Sequence, residues 1–216
     1  MAEVTLKGKT IRTIGTLPSN GAVAHDFLLV STDLNDVKLS DFAGTRLIMN
    51  IFPSVETRPC AESVRRFNEM ADRLDNTKVL CISKDLPFAH ERFNAKEGID
   101  NVVSLSEMRG NDFGENYGIR ILDGPFAGLL ARAVVVLDEK HRVIYSQLVP
   151  EVSDEPDYES ALNALESHDS TTSATDAEKP AAGDATDEFC TKMPTGEHAR
   201  LPDDDDTCDD GRSGKI

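Results

Sequence analysis

The chain has 216 residues, 39% of them hydrophobic, and a formal net charge of −16. This acidic balance disfavours binding to nucleic-acid phosphates or to anionic membrane surfaces. No apolar segment follows the basic residues Lys7, Lys9 and Arg12, so we predict no secretory signal, and no apolar run approaches the ~20 residues of a membrane span. We therefore expect a cytoplasmic protein whose four cysteines are reduced thiols rather than a disulfide framework.

Apolar periodicity predicts an N-terminal β-hairpin followed by alternating strands and helices. Alternation around Lys7-Gly8-Lys9 indicates the hairpin, over residues 4–13. Runs of apolar residues predict strands over 27–30, 47–52, 79–82, 102–105, 133–137 and 143–148. Helical spacing predicts helices from about Ala61, from Pro87 to near Gly98, over 112–117 and over 157–165. This order of elements predicts an α/β fold, a thioredoxin-like sandwich.

The composition changes after Ser167. Residues 168–216 are rich in Ser, Thr, Ala and Asp and contain almost no large apolar side chains. Such a segment buries too little apolar surface to offset its ordering entropy, so we predict a domain over 1–167 and a disordered acidic tail over 168–216. The tail's run of four acids, 203–206, lacks the spaced ligands and the glycine of a calcium loop, and we interpret it as a solvated run. No metal and no cofactor are predicted.

Cys60 lies between a buried strand and an amphipathic helix, in or just before the first helical turn. Unpaired backbone N–H groups and the helix dipole favour negative charge there, and hence the thiolate, which is the nucleophilic form of cysteine. Pro59 suits a helix start, where its missing N–H has no intrahelical partner. Thr57, three residues before Cys60, can donate a hydrogen bond to the sulfur or to an incoming oxygen. The alternative is that Cys60 is a small buried hydrophobic residue.

The spacing Pro53-x-x-x-Thr57-x-x-Cys60 resembles the peroxidatic motif of the peroxiredoxins. Similarity to one branch, the bacterial thiol peroxidases, covers roughly residues 2–167 and is carried by the segments 50–54, 61–68, 79–89, 123–125, 131–136 and 155–158. The resemblance implies that Cys60 attacks a hydroperoxide and becomes a sulfenic acid, with Thr57 bonded to the peroxide. It also implies that Pro53 shields the pocket and that Arg132 pairs with the thiolate. From the residues alone, the favoured interpretation of Arg132 is a surface arginine at a strand end.

One position departs from the family pattern. Asn94 stands where thiol peroxidases of the atypical two-cysteine kind carry their resolving cysteine. Cys190 and Cys208 are then the possible resolving thiols, whereas Cys81, inside an apolar strand, is interpreted as inert core. The resemblance further implies a homodimer, and thioredoxin or a similar thiol as the reductant.

Three functions follow as hypotheses. The first is a thiol-specific peroxidase that reduces hydrogen peroxide and organic hydroperoxides and is re-reduced by an external thiol. The second is a peroxide sensor or redox relay that passes oxidation to a partner protein. The third is a thioredoxin-fold binding domain with an inert Cys60, which the set of Pro53, Thr57, Cys60 and Arg132 disfavours because a binding domain has no need of it.

Overall fold

A computed structural model describes the backbone of residues 1–175 and the side chains of residues 1–168. The described elements, in chain order, are strands and helices together with one 3₁₀ turn at Leu39–Phe42. The strands are β1 (Glu3–Leu6), β2 (Lys9–Arg12), β3 (Leu28–Ser31), β4 (Asp36–Lys38), β5 (Arg46–Ile51), β6 (Thr77–Ser83), β7 (Val103–Ser106), β8 (Ala133–Leu137) and β9 (Val143–Leu148). The helices are α1 (Arg58–Ala71), α2 (Pro87–Glu97), α3 (Asp112–Asn116) and α4 (Tyr158–Thr175).

The strands form a hairpin and one larger sheet. Strands β1 and β2 pair antiparallel, and the remaining seven form a sheet in the order β4-β3-β7-β6-β5-β8-β9. The central strands β5, β6 and β7 are parallel, whereas the outer pairings are antiparallel. The predicted thioredoxin-like α/β fold with its N-terminal hairpin is thus confirmed.

Strand β5 shows why the sheet must be covered on both faces. All six of its residues are buried, and successive side chains point to opposite sides of the sheet. Leu47, Met49 and Ile51 pack into a core that includes residues of the hairpin, whereas Ile48 packs into a second core with α1 and α4. The sheet is therefore the middle layer of a sandwich.

The helix ends follow the local sequence closely. Helix α1 begins at Arg58, three residues before the predicted start, because Thr57 takes the extended N-cap conformation and Pro59 fits the first turn. Helix α2 begins at Pro87 and ends before Gly98, whose φ of 67° is the left-handed conformation that favours glycine. The predicted end of α2 is confirmed.

Two elements, β4 and α4, differ most from the prediction. Strand β4 was not predicted, because Val37 is its single apolar residue and the strand lies at the sheet edge. Helix α4 continues to Thr175 rather than ending at 165, since no glycine or proline interrupts that stretch. Beyond residue 175 the acidic segment lies outside the described residues, and the boundary at 167 stays a prediction. Among the described helices, none combines the length and the apolar character that crossing a bilayer requires.

Candidate active site

Strand pairing brings two parts of the chain that are distant in sequence together at the end of β5 and the start of β8. Ile51, the last residue of β5, pairs with Ala133, the first residue of the antiparallel β8. Arg132 therefore lies beside the loop that leaves β5 and leads into α1. Cys60 sits in the first turn of α1, so the loop, the helix start and Arg132 meet at the same point.

Cys60 is fully buried, and two polar side chains contact its sulfur. The Thr57 hydroxyl oxygen lies 2.8 Å from Sγ, and Nη2 of Arg132 lies 3.1 Å from it. The same hydroxyl lies 3.1 Å from the carbonyl oxygen of Ser54. Because the hydroxyl has one proton, it donates to the sulfur or to Ser54, and in the second case its lone pairs are free to accept a hydrogen bond.

Arg132 is 1% exposed, so its alternative interpretation as a surface arginine is wrong. Its Nε donates to the carbonyl oxygen of Val152 over 3.1 Å, and Nη2 donates to Cys60 Sγ. Its Nη1 is buried and has no hydrogen-bond partner within the described part of the chain. A buried cation is stabilised by a negative partner, which the Cys60 sulfur would provide in its thiolate form. The unpaired Nη1 leaves one strong donor for an oxygen atom of a bound molecule.

A cavity of about 310 Å³ opens next to this cluster. Its lining consists of Leu6, Lys7, Pro53, Thr57, Pro59, Phe126, Arg132, Val152 and Ser153. Most of that lining is apolar, and the two side chains that contact the Cys60 sulfur, Thr57 and Arg132, supply polar groups at its surface. A larger depression of about 520 Å³ between α1 and α4 is lined by neither of them. The smaller cavity is therefore the candidate substrate pocket.

A partly buried polar network holds the loop that precedes Cys60. The carboxylate of Asp85 accepts hydrogen bonds from the Ser54 hydroxyl and from the Val55 N–H, both at 2.7 Å. It also accepts one from the Ser83 hydroxyl, which lies 2.9 Å from Nε2 of His90.

Burial lowers the pKa of His90, and the nearby Asp85 charge opposes that shift. Sequence reasoning missed these residues, although polar residues directly after the apolar strand 79–82 were the available signal.

The structure also defines the contacts of Cys81 and Asn94, two further residues that the sequence analysis singled out. Cys81 is fully buried in β6, and burial raises its pKa to about 12, opposed by the amide of Asn50 3.7 Å from the sulfur. Cys81 is thus a protonated thiol, in agreement with its interpretation as inert core. Asn94 of α2 donates to the Ser104 hydroxyl of β7 over 3.0 Å, so it joins the helix to the sheet.

The remaining predicted site residues divide between the pocket and the undescribed segment. Pro53 lines the cavity beside Thr57 and Arg132, whereas Cys190 and Cys208 lie outside the described residues. Within the part of the chain that the structure describes, no group of three or more His, Cys, Asp or Glu residues is placed to hold a metal ion. Of the predicted site residues, the structure brings together Cys60, Thr57, Arg132 and Pro53.

Comparisons with known proteins show the family and the fold of the chain. The family model described as Redoxin matches residues 17–162. A thiol peroxidase of Corynebacterium glutamicum is 53% identical over 165 residues, which cover 76% of this chain and 99% of that protein. A peroxiredoxin-like protein of Aquifex aeolicus has a similar crystal structure, with a TM-score of 0.73, 33% identity and coverage of 77% of this chain and 97% of that chain. A thiol peroxidase from Chromobacterium violaceum shares the fold at 24% identity, with a TM-score of 0.73 and coverage of 78% of this chain and 98% of that one.

Proposed function

Because the chain belongs to the redoxin family and is an enzyme of the thiol peroxidase type, we propose that it reduces hydrogen peroxide and organic hydroperoxides through the thiolate of Cys60. One observation carries the assignment to Cys60: its buried sulfur lies within hydrogen-bond distance of both Thr57 and the buried cation of Arg132. A nucleophilic cysteine needs its thiolate stabilised, and a guanidinium at 3.1 Å does so.

The first chemical step transfers one oxygen atom. The Cys60 thiolate attacks the distal oxygen of the hydroperoxide, the S–O bond forms and the O–O bond breaks. Cys60 becomes a sulfenic acid, and the leaving alkoxide takes up one proton to become an alcohol, or water when the substrate is hydrogen peroxide. Nη1 of Arg132 supplies a donor for the oxygen on which charge develops, and Thr57 accepts or donates at the other oxygen.

The second stage returns Cys60 to its thiol. An external thiol attacks the sulfenic sulfur, a mixed disulfide forms and water leaves. A second thiol then attacks the mixed disulfide, which releases Cys60 and an oxidised dithiol. Cys60 is fully buried, so its sulfur must leave the first turn of α1 before a protein thiol can reach it.

The reductant in this proposal is thioredoxin or a similar thiol, and the setting is the cytoplasm, where such thiols are kept reduced. The enzyme is proposed to act as a homodimer. Support for an external reductant comes from Asn94, which occupies the family's resolving position on α2 and is engaged with Ser104. Cys81 gives no internal alternative, because it stays protonated at the centre of β6.

The presence of Asn94 in place of a resolving cysteine also favours a second candidate function, a peroxide sensor or relay. Without a resolving thiol on α2, the sulfenic acid persists until a partner thiol attacks it, and that partner is then the protein that becomes oxidised. Steady-state consumption of hydrogen peroxide and of cumene hydroperoxide with a thioredoxin system separates the two. Many turnovers per enzyme support the peroxidase, whereas a single turnover followed by transfer of a disulfide to a partner supports the relay.

A further inference from the structure

The N-terminal hairpin forms part of the candidate substrate pocket. Leu6 and Lys7, at the tip of the hairpin, line the cavity together with Val152 and Ser153, which follow β9. These two segments are far apart in sequence but adjacent in the fold. The Thr5 hydroxyl, for example, donates to the carbonyl oxygen of Pro150, 145 positions away. What holds the two segments together therefore determines the shape of this wall.

The carboxylate of Glu151 joins the two segments through both of its oxygens. Oε1 accepts from the backbone N–H of Lys7 at 3.0 Å and from that of Ser153 at 3.1 Å. Oε2 accepts from the Thr5 hydroxyl at 2.8 Å and from the Gly8 N–H at 3.1 Å. Four donors from the hairpin and from the loop after β9 thus converge on one side chain, which we call the Glu151 clasp.

The clasp contacts a hairpin turn whose backbone has an uncommon left-handed conformation. Lys7 has a φ of 52° and Gly8 a φ of 76°, the combination of a tight two-residue hairpin turn. A left-handed conformation is uncommon for lysine and persists where surrounding contacts fix it. The donors of both turn residues point to Glu151, so the clasp fixes the conformation at the place where Lys7 meets the cavity.

The carboxylate of Glu151 is ionised near neutral pH. Burial by itself would raise its pKa, but the hydrogen bonds from Gly8, Lys7, Ser153 and Thr5 outweigh burial and lower the pKa to about 2. Charge-assisted bonds to backbone N–H groups are stronger than neutral ones. Near neutral pH the Glu151 carboxylate is therefore ionised and can accept from all four donors.

Backbone bonds extend the same connection toward the reacting centre. The Thr5 N–H donates to the Pro150 carbonyl over 2.7 Å, and the Val152 N–H donates to the Thr5 carbonyl over 2.8 Å. The carbonyl oxygen of Val152 accepts from Nε of Arg132. Hairpin, clasp and Arg132 form one continuous side of the pocket.

We infer that Glu151 is a positioning residue for substrate selectivity: it fixes the hairpin wall against which the organic part of a hydroperoxide packs. The inference rests on the proposed peroxidase function. Hydrogen peroxide has no organic part to pack on the wall, and Val152 is held beside Arg132 by backbone bonds rather than by the Glu151 side chain, so its reaction at Cys60 depends little on the clasp. An organic hydroperoxide needs the wall to orient its reacting oxygen, and small misplacements of reacting groups lower rates steeply.

The test measures the second-order rate constant for oxidation of Cys60 by stopped flow, with hydrogen peroxide and with cumene hydroperoxide. Three proteins are compared: the wild type, Glu151→Gln and the matched control Glu3→Gln, which removes the same charge from an exposed position on the same hairpin. Glu151→Gln keeps the size of the side chain but places a donor amide against N–H donors. We expect it to lose on the order of tenfold with cumene hydroperoxide and less than about twofold with hydrogen peroxide, whereas Glu3→Gln keeps both rates.

Equal losses with the two peroxides, or no loss with either, would overturn the inference. If Glu151→Gln does not fold, Thr5→Val replaces it, because it removes one of the four donors; an unchanged ratio of the two rate constants in that variant overturns the inference as well. A wild type that reacts with neither peroxide contradicts the proposed function and this inference together. A wild type that reacts with both, beside an unchanged ratio in Glu151→Gln, contradicts this inference alone.

Discussion

Nη2 of Arg132 lies 3.1 Å from the sulfur of Cys60, across 72 positions of the chain. The contact follows from strand pairing, because Ile51 at the end of β5 is the register partner of Ala133 at the start of β8. A shift of that register by one residue would move Arg132 to the other face of the sheet. The geometry of the sheet thus fixes the electrostatics of the thiol.

Replacing Arg132 tests that electrostatic role. Arg132→Gln should slow the attack of Cys60 on peroxide by on the order of 10²-fold, which is comparable to the loss of one preorganised charge donor. Arg132→Lys should restore part of the rate, since a single ammonium cannot reproduce the fork of donors to Val152 and Cys60. Stopped-flow rates of Cys60 oxidation measure both, and a full-rate Arg132→Gln enzyme would remove Arg132 from the mechanism.

Asp85 is expected to act by holding the loop before Cys60. In Asp85→Ala the buried Val55 N–H and the Ser54 hydroxyl lose their acceptor, which costs about 1–3 kcal/mol for an unsatisfied buried donor. We expect a lower melting temperature together with slower peroxide attack, because the loop also carries Thr57. The exposed turn residue Asp33 provides the control Asp33→Ala, which should change neither quantity. A loss of stability without any loss of rate would show that the loop does not set the reaction geometry.

The Glu151 clasp predicts a pH-dependent stability difference. The pKa of Glu151 is lowered to about 2 in the folded protein. Between this value and the ~4.3 of an unfolded glutamate, the unfolded chain binds more protons, so acidification destabilises the folded state. The free energy of unfolding of the wild type should therefore exceed that of Glu151→Gln in full above about pH 5, and the difference should shrink as the pH falls toward 2. Chemical denaturation at a series of pH values measures it; a difference that stays constant with pH would contradict the clasp.

Asn94 of α2 stands where the resemblance to the thiol peroxidases implies a resolving cysteine, so the thiol that attacks the sulfenic acid is predicted separately. Asn94 cannot form a disulfide, and the candidates Cys190 and Cys208 belong to the segment that is predicted from its composition to be disordered and acidic. Such a segment offers little to hold a sulfur in line with Cys60, so we expect an external thiol to attack the sulfenic acid. A Cys190→Ser/Cys208→Ser variant should turn over unchanged with thioredoxin and with a small thiol. If turnover with thioredoxin collapses while the first equivalent of peroxide is still consumed, a tail cysteine is the resolving thiol.

Local sequence patterns predicted most of the fold. Strand β8 has the predicted bounds because its uninterrupted apolar residues end at the polar turn residue Asp138, and α2 ends where Gly98 supplies the left-handed conformation. Strand β4 carried no comparable signal, since it has only three residues and Val37 is its single apolar one.

The site was predictable only where it is local. The position of Cys60 at a helix start followed from the change of periodicity, and Thr57 followed from its spacing. Arg132 came from family resemblance, because its burial depends on strand register, which one sequence does not specify. Glu151 and the hairpin wall were missed for the same reason: their contacts join residues 5–8 to residues 150–153.

The identity of the reacting sulfur is tested most directly by mass spectrometry of the full chain after one equivalent of hydrogen peroxide, with a sulfenic-acid trap present. We expect a single sulfenic acid, trapped on Cys60, with Cys81 unmodified because burial keeps it protonated. Cys60→Ser should consume no peroxide, whereas Cys81→Ser should keep most of the activity. Trapping on any other cysteine, or an active Cys60→Ser variant, would contradict the assignment of Cys60 as the reacting thiol.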